Sequence, residues 1–106
     1  MKFREGIKLV KEINNDFGGE IGLYIAAQDE LTKYNEDFNN YGYVGAQKKL
    51  TQTSRFILGL VYSEFLAEED TNEGQFLAAE KARIFREKLG IDSDKLFRAR
   101  YELNGF

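Results

Sequence analysis

The residues best suited to acid–base chemistry in this sequence are carboxylates clustered in residues 64–73, a stretch with five acids and no base. Glu64 with Glu68, and Glu69 with Glu73, are each four residues apart, so both carboxylates of a pair lie on one face of a helix. Helical bundles that hold two irons combine such carboxylates with Glu-x-x-His motifs. Because the sequence contains no His, we interpret this stretch as a solvated acidic helix end.

Four residue types are absent from the 106 residues: His, Cys, Pro and Trp. Without a thiolate or an imidazole, Cys–His and Ser–His catalysis are excluded, as are zinc-finger, haem and iron–sulfur sites. Residues 70–74 resemble the start of a calcium loop, but the glycine comes one position early and no acid closes the loop. We therefore predict a protein that is not an enzyme and uses no cofactor and no metal.

A basic segment follows the acidic stretch: residues 81–100 hold seven bases and three acids, in a chain whose total charge is -3. Residues 82–101 resemble a helix-turn-helix unit, with Leu-Gly-Ile at the turn between two helices. Its basic side chains favour phosphate contact. However, Arg86 stands where the motif usually has a small residue, and Asp92 and Asp94 open the would-be recognition helix. A DNA-binding protein, with nucleic acid as its partner, is thus one alternative function.

Helices must position these groups, because apolar residues recur every three or four positions along nearly the whole chain. The absence of Pro also removes the residue that most often interrupts a helix. The predicted helices cover residues 3–17, 20–38 and 43–67, with a turn at 39–42, and the opening of the second could also be a short strand. A fourth helix follows the cap at 70–73 and ends at Gly90, and a short fifth follows the cap at 92–93 and stops at 104–105. The sequence therefore predicts one all-α domain over residues 1–106, an up-and-down four-helix bundle with a short C-terminal fifth helix or tail.

The most apolar segment, residues 56–62, is apolar almost all round, which is typical of the central helix of a bundle. Gly59 in its middle predicts that a neighbouring helix approaches closely, because glycine otherwise costs about 1 kcal/mol relative to alanine in a helix. The segment is far shorter than the roughly 20 residues that a membrane span requires. We therefore predict a cytoplasmic protein without a transmembrane segment.

Two segments resemble the enterocin A-type (pediocin-like, class IIa) bacteriocin immunity proteins. Residues 7–17, Ile-Lys-Leu-Val-Lys-Glu-Ile-Asn-Asn-Asp-Phe, resemble the opening helix of that family. Residues 88–91, Lys-Leu-Gly-Ile, with 96–101, Leu-Phe-Arg-Ala-Arg-Tyr, are similar to its last helix and tail. The resemblance implies a cytosolic four-helix bundle that protects a producer cell from inside the membrane. Proteins of that family lock the bacteriocin into a complex with its membrane receptor, and their C-terminal half sets specificity.

The resemblance places the partner surface in the C-terminal segment, where residues 96–99 and Tyr101 match the tail motif. Arginines there would reach acidic or phosphate groups, and aromatic side chains would anchor a protein partner. The predicted partner-binding residues are Lys95, Phe97, Arg98, Arg100, Tyr101 and Phe106. The partner is a membrane receptor–bacteriocin complex. In a broader version, an inhibitor from a phage or mobile element (anti-defence type) binds a host defence protein instead.

Overall fold

The computed structural model describes residues 2–104, apart from the side chains of Phe3, Phe17 and Asn104. The helices are α1 (Phe3–Phe17), α2 (Glu20–Lys49), α3 (Gln52–Tyr62), α4 (Asn72–Leu89) and α5 (Ser93–Asn104), with a 3₁₀ turn (Glu64–Leu66) between α3 and α4. No strand occurs in the range 2–104, so the predicted all-α class is confirmed.

Three helix ends are fixed by the local signals that the sequence contains. The chain leaves α1 at Gly18, whose positive φ of 88° allows its N–H to bond the carbonyl of Asn14. The hydroxyl of Thr71, one residue after the expected Asp70, caps α4 by accepting from the N–H of Gly74 at 2.9 Å. Gly90, with φ 73°, ends α4 as predicted. These short-range signals therefore locate α1 and α4 well.

The second helix folds back on itself at Gly42, which has φ 75° and ψ -177°, a backbone conformation that is essentially restricted to glycine. Beyond this break, Gln47 Nε2 donates to Tyr34 Oη at 3.2 Å. In a straight helix these residues would lie about 20 Å apart along the axis, so the chain must change direction sharply at Gly42, a bend that we call the reversal. The predicted turn at 39–42 is thus confined to its last residue, and helical structure continues on both sides of it.

The predicted helix over 43–67 begins where expected, after Gly42, but it is interrupted and ends early. It is interrupted at Leu50 and Thr51, where the Thr51 hydroxyl caps α3 by accepting from the N–H of Ser54 at 3.0 Å. It stops at Tyr62, because Ser63 adopts φ 56° and the chain enters the 3₁₀ turn. Gly59 does admit a close neighbour, but that neighbour is the side chain of Leu66 in the turn. No helix within residues 2–104 has both the length and the apolarity needed to cross a lipid bilayer.

Four helices supply the central core, and the short last helix is one of them. α3 is its middle, with residues 56–60 all buried, as the apolar pattern predicts. α5 packs on α2, so it is an integral helix of the fold. α4 instead packs on α3 and the 3₁₀ turn through the small side chains of Ala78 and Ala82. The buried core residues are Val10, Ile13, Leu23, Tyr24, Ala27, Phe56, Ile57, Leu60, Leu96 and Ala99.

Candidate functional site

The two sides of α5 have opposite roles. Leu96 and Ala99 are 5% and 2% exposed and face the core. Phe97 and Tyr101, one helical turn apart, are 56% and 48% exposed, and their ring centroids lie 5.1 Å apart. The outer side also carries the exposed bases Lys95 and Arg98, together with the exposed acids Asp94 and Glu102. We use the term α5 face for four of these exposed side chains, Lys95, Phe97, Arg98 and Tyr101.

Two of the six predicted partner-binding residues lie outside the α5 face. Phe106 is beyond the described residues. Arg100 is half-buried, and its guanidinium carbon lies 5.4 Å from the centroid of the Tyr62 ring. Such a cation over an aromatic face is stabilised by the ring quadrupole. Arg100 therefore helps to hold α5 against the end of α3.

A polar network lies beneath this contact. Gln28 donates through its Nε2 to Tyr24 Oη at 2.7 Å and also to Tyr62 Oη. Burial, with a smaller contribution from the neighbouring Tyr24, raises the pKa of Tyr62 to about 12, although Arg100 and Gln28 act in the opposite direction. The network thus joins α2 and α3 next to α5, with Tyr62 in its protonated form at neutral pH.

Arg86 occupies the corner between α3, α4 and α5. Its Nη1 donates to the Leu60 carbonyl at 2.7 Å, and its Nε donates to Ser93 Oγ at 3.2 Å. The Leu60 carbonyl belongs to the last turn of α3, where carbonyls lack helical partners and the helix dipole favours a cation. Burial lowers the pKa of the Arg86 guanidinium. The unusual arginine at the turn is therefore a structural link between three helices.

Carboxylates surround the N-terminus of α5. Asp92 Oδ1 accepts from the N–H groups of Asp94 and Lys95 at 2.9 and 3.3 Å, and Glu20 Oε1 accepts from the N–H of Asp92 at 3.4 Å. Asp92 thus caps α5, as its position in the sequence predicts. These acids occupy the helix end that would otherwise attract a phosphate, which disfavours the recognition role that a helix-turn-helix assigns to α5.

A second surface was missed by the sequence interpretation. Residues 38–44, which we call the elbow, surround the reversal at Gly42 and are all exposed. Phe38, Tyr41, Tyr43 and Val44 are 45%, 60%, 52% and 64% exposed. Residues 38–47 carry no charge in a chain that is 31% charged. That uncharged, tyrosine-containing run was the signal that could have identified the elbow.

The elbow borders a groove of about 540 Å³ between the end of α2, α3 and the segment that leads into α4. Its lining includes Tyr43 and Gln47 from α2 together with the acidic segment. Phe56 and Phe85, whose ring centroids lie 5.9 Å apart, contribute apolar lining. We call this the acidic groove, because its carboxylates are Glu64, Glu68, Glu69 and Asp70.

The acids of residues 64–73 are all exposed, which fits the interpretation of a solvated acidic segment, although only Glu64, in the 3₁₀ turn, and Glu73, in the first turn of α4, lie in helical structure. Within the described chain, none of them lies within ion-pair distance of a base. No group of three or more carboxylates among residues 2–104 is arranged to hold a metal ion.

Comparison with known proteins gives no assignment for either surface. No protein-family model matches the sequence, and no curated protein and no solved structure is significantly similar to it.

Proposed function

We propose that this cytoplasmic protein catalyses no reaction and acts by binding another protein through the α5 face. The observation that carries the proposal is the exposed pair Phe97 and Tyr101 on a helix that Leu96 and Ala99 fix to the core. Exposed aromatic side chains on a rigid element are typical anchors of protein interfaces. Lys95 and Arg98 beside them favour a partner whose surface is acidic.

The most specific form of the proposal is bacteriocin immunity, and it rests on the resemblance of residues 7–17, 88–91 and 96–101. With it we propose the up-and-down four-helix topology that the resemblance implies. In its broader form, the same face inhibits a host defence protein. The acids around the start of α5 make duplex DNA a less suitable partner than a protein.

The immunity proposal can be tested by expressing the protein in a strain that is sensitive to a pediocin-like bacteriocin. We expect expression to raise the inhibitory bacteriocin concentration, and Phe97→Ala with Tyr101→Ala to reduce that protection about tenfold or more. The matched control is Phe76→Ala with Leu77→Ala, which removes two similarly exposed apolar side chains from α4. Deleting residues 95–106 is unsuitable, because it would remove Leu96 and Ala99 from the core.

Three outcomes would count against the proposal. Absence of protection contradicts the immunity form. If the protein immobilised for affinity capture retains the same host proteins with and without Phe97 and Tyr101, the α5 face is not the binding surface. Binding to duplex DNA at low salt that disappears in Lys95→Ala with Arg98→Ala would assign the face to nucleic acid instead.

A further inference from the structure

We propose that the elbow and the acidic groove together form a second docking surface, for a segment of another protein that presents an apolar side chain beside lysine or arginine. This surface is independent of the α5 face and of the immunity proposal. It combines exposed apolar contact area, a shaped cavity and an excess of acidic over basic side chains in the groove.

The elbow supplies the apolar contact area. Tyr41, Tyr43 and Val44 are each at least half exposed, and the asparagines at 39 and 40 supply uncharged hydrogen-bonding groups. Tyrosine provides a large contact area at a low cost in side-chain entropy, and tyrosine, glycine and asparagine are enriched in the binding loops of antibodies. The composition of the elbow is therefore that of a recognition surface.

The elbow is held in place before any partner arrives. Gln47 links Tyr34, at 3.2 Å, to Arg55, whose Nη2 donates to Gln47 Oε1 at 3.1 Å. Arg55 Nη1 also donates to the Phe65 carbonyl at 3.3 Å, and the Phe65 ring lies edge-on to Tyr34 with centroids 5.3 Å apart. Because these contacts fix both sides of the reversal and one wall of the groove, little ordering cost remains for binding.

The charge of the groove specifies the partner. Four carboxylates line it against two bases, Arg55 and Lys81, and the guanidinium of Arg55 is already bonded to Gln47 and Phe65. A basic segment would complement these acids. An anionic membrane, the other surface that commonly accepts exposed tyrosines, would be repelled by the carboxylates that line the groove together with Tyr43, although Lys49 lies 4.7 Å from the centroid of the Tyr41 ring.

Fluorescence anisotropy of the full chain with two labelled amphipathic helical peptides tests the proposal. One peptide is built from leucine and lysine, and the other from leucine and glutamate. We expect the lysine peptide to bind and the glutamate peptide not to bind. Tyr43→Ala, and separately Glu68→Gln with Glu69→Gln, should each weaken binding about tenfold. If Tyr43→Ala lowers helical content, Val44→Ser replaces it, because Val44 is 64% exposed on the same elbow.

Matched controls distinguish peptide binding at this surface from an effect of total charge and from binding through the α5 face. Glu12→Gln with Asp16→Asn removes the same charge from exposed positions on α1, and Phe97→Ala removes a similarly exposed ring from α5. Both should retain the wild-type affinity to within about twofold.

Three results would overturn the proposal. Equal losses in the two pairs of acid variants would show an effect of net charge alone. Tyr43-dependent binding to vesicles of phosphatidylcholine and phosphatidylserine, without binding of the lysine peptide, would assign the elbow to lipid. A dimer that sedimentation detects in the wild type and not in Tyr43→Ala would make a second copy of the chain the occupant.

Discussion

The α5 face and the surface formed by the elbow and the acidic groove differ in charge and in origin. The α5 face is basic and aromatic, and its four residues lie within two turns of one helix. The other surface joins an uncharged segment around Gly42 to acids that begin more than 20 residues later in the sequence. The first surface is thus a property of one amphipathic helix, whereas the second exists only because the chain folds back.

The comparison also shows two ways of making a surface rigid. α5 is anchored by the side chains of Leu96 and Ala99 in the core and by the contact of Arg100 with the ring of Tyr62. The elbow is anchored by the hydrogen bonds of Gln47 and Arg55, which lie outside it in sequence. We therefore expect α5 to keep its position when its exposed side chains are substituted. The shape of the elbow, in contrast, should depend on the backbone conformation at Gly42.

The largest expected change in stability distinguishes the buried side of α5 from its exposed side. Leu96→Ala is expected to lower the free energy of unfolding by about 2–5 kcal/mol, because it leaves a cavity in the core. Phe97→Ala, one residue away on the exposed side, should change it by no more than about 0.5 kcal/mol. Urea denaturation followed by circular dichroism measures both. Similar losses in the two variants would show that the outer side of α5 is part of the core.

A smaller loss of stability is expected when Gly42, at the reversal of α2, is substituted. Gly42→Ala should lower the free energy of unfolding by about 1–3 kcal/mol, since alanine is strained at φ 75° and ψ -177°. No atom within 4 Å obstructs a Cβ there, so the loss would come from the backbone alone. Asn40→Ala, at an exposed helical neighbour, is the control and should have little effect. If both variants are equally stable, the reversal does not depend on glycine.

The smallest effect concerns the polar network beneath α5. Because folding raises the pKa of Tyr62 from 10.0 to about 12, the unfolded chain loses this proton at a lower pH than the folded chain does. The stabilisation of the folded chain that this difference in pKa provides is fully present below pH 10 and is lost as the pH rises toward 12. Urea denaturation over this interval should show a steeper loss of stability in the wild type than in Tyr62→Phe. Parallel pH profiles would contradict the role of Tyr62.

The sequence located the features that depend on neighbouring residues. α1 has the predicted bounds, and Gly90 and Asp92 end and begin helices as expected. Phe97 and Tyr101 were selected through the resemblance of residues 96–101 to the immunity proteins, and only the structure shows that both side chains are exposed. Arg100 could not be judged in this way, because its contact with Tyr62 joins residues far apart in sequence.

The errors lie where tertiary contacts override local helical preference. Residues 43–67 have a continuous helical pattern, yet the chain leaves the helix at Thr51 and again at Ser63. The second exit places Leu66 over Gly59, a position that would otherwise need a neighbouring helix to cover it. The spacing of Leu66 from Gly59 did not predict that contact, because it depends on the turn at Ser63.

The sequence by itself determined an all-helical protein without a thiol or an imidazole, together with the bounds of α1 and the helix ends at Gly90 and Asp92. These properties follow from residue types and from the helical period, which act over a few neighbouring residues. Only the tertiary structure decided that the acids of residues 64–70 line the same groove as Tyr43 and that Arg86 links three helices. Those arrangements depend on the direction of the chain after Gly42 and Ser63, which helical periodicity does not encode.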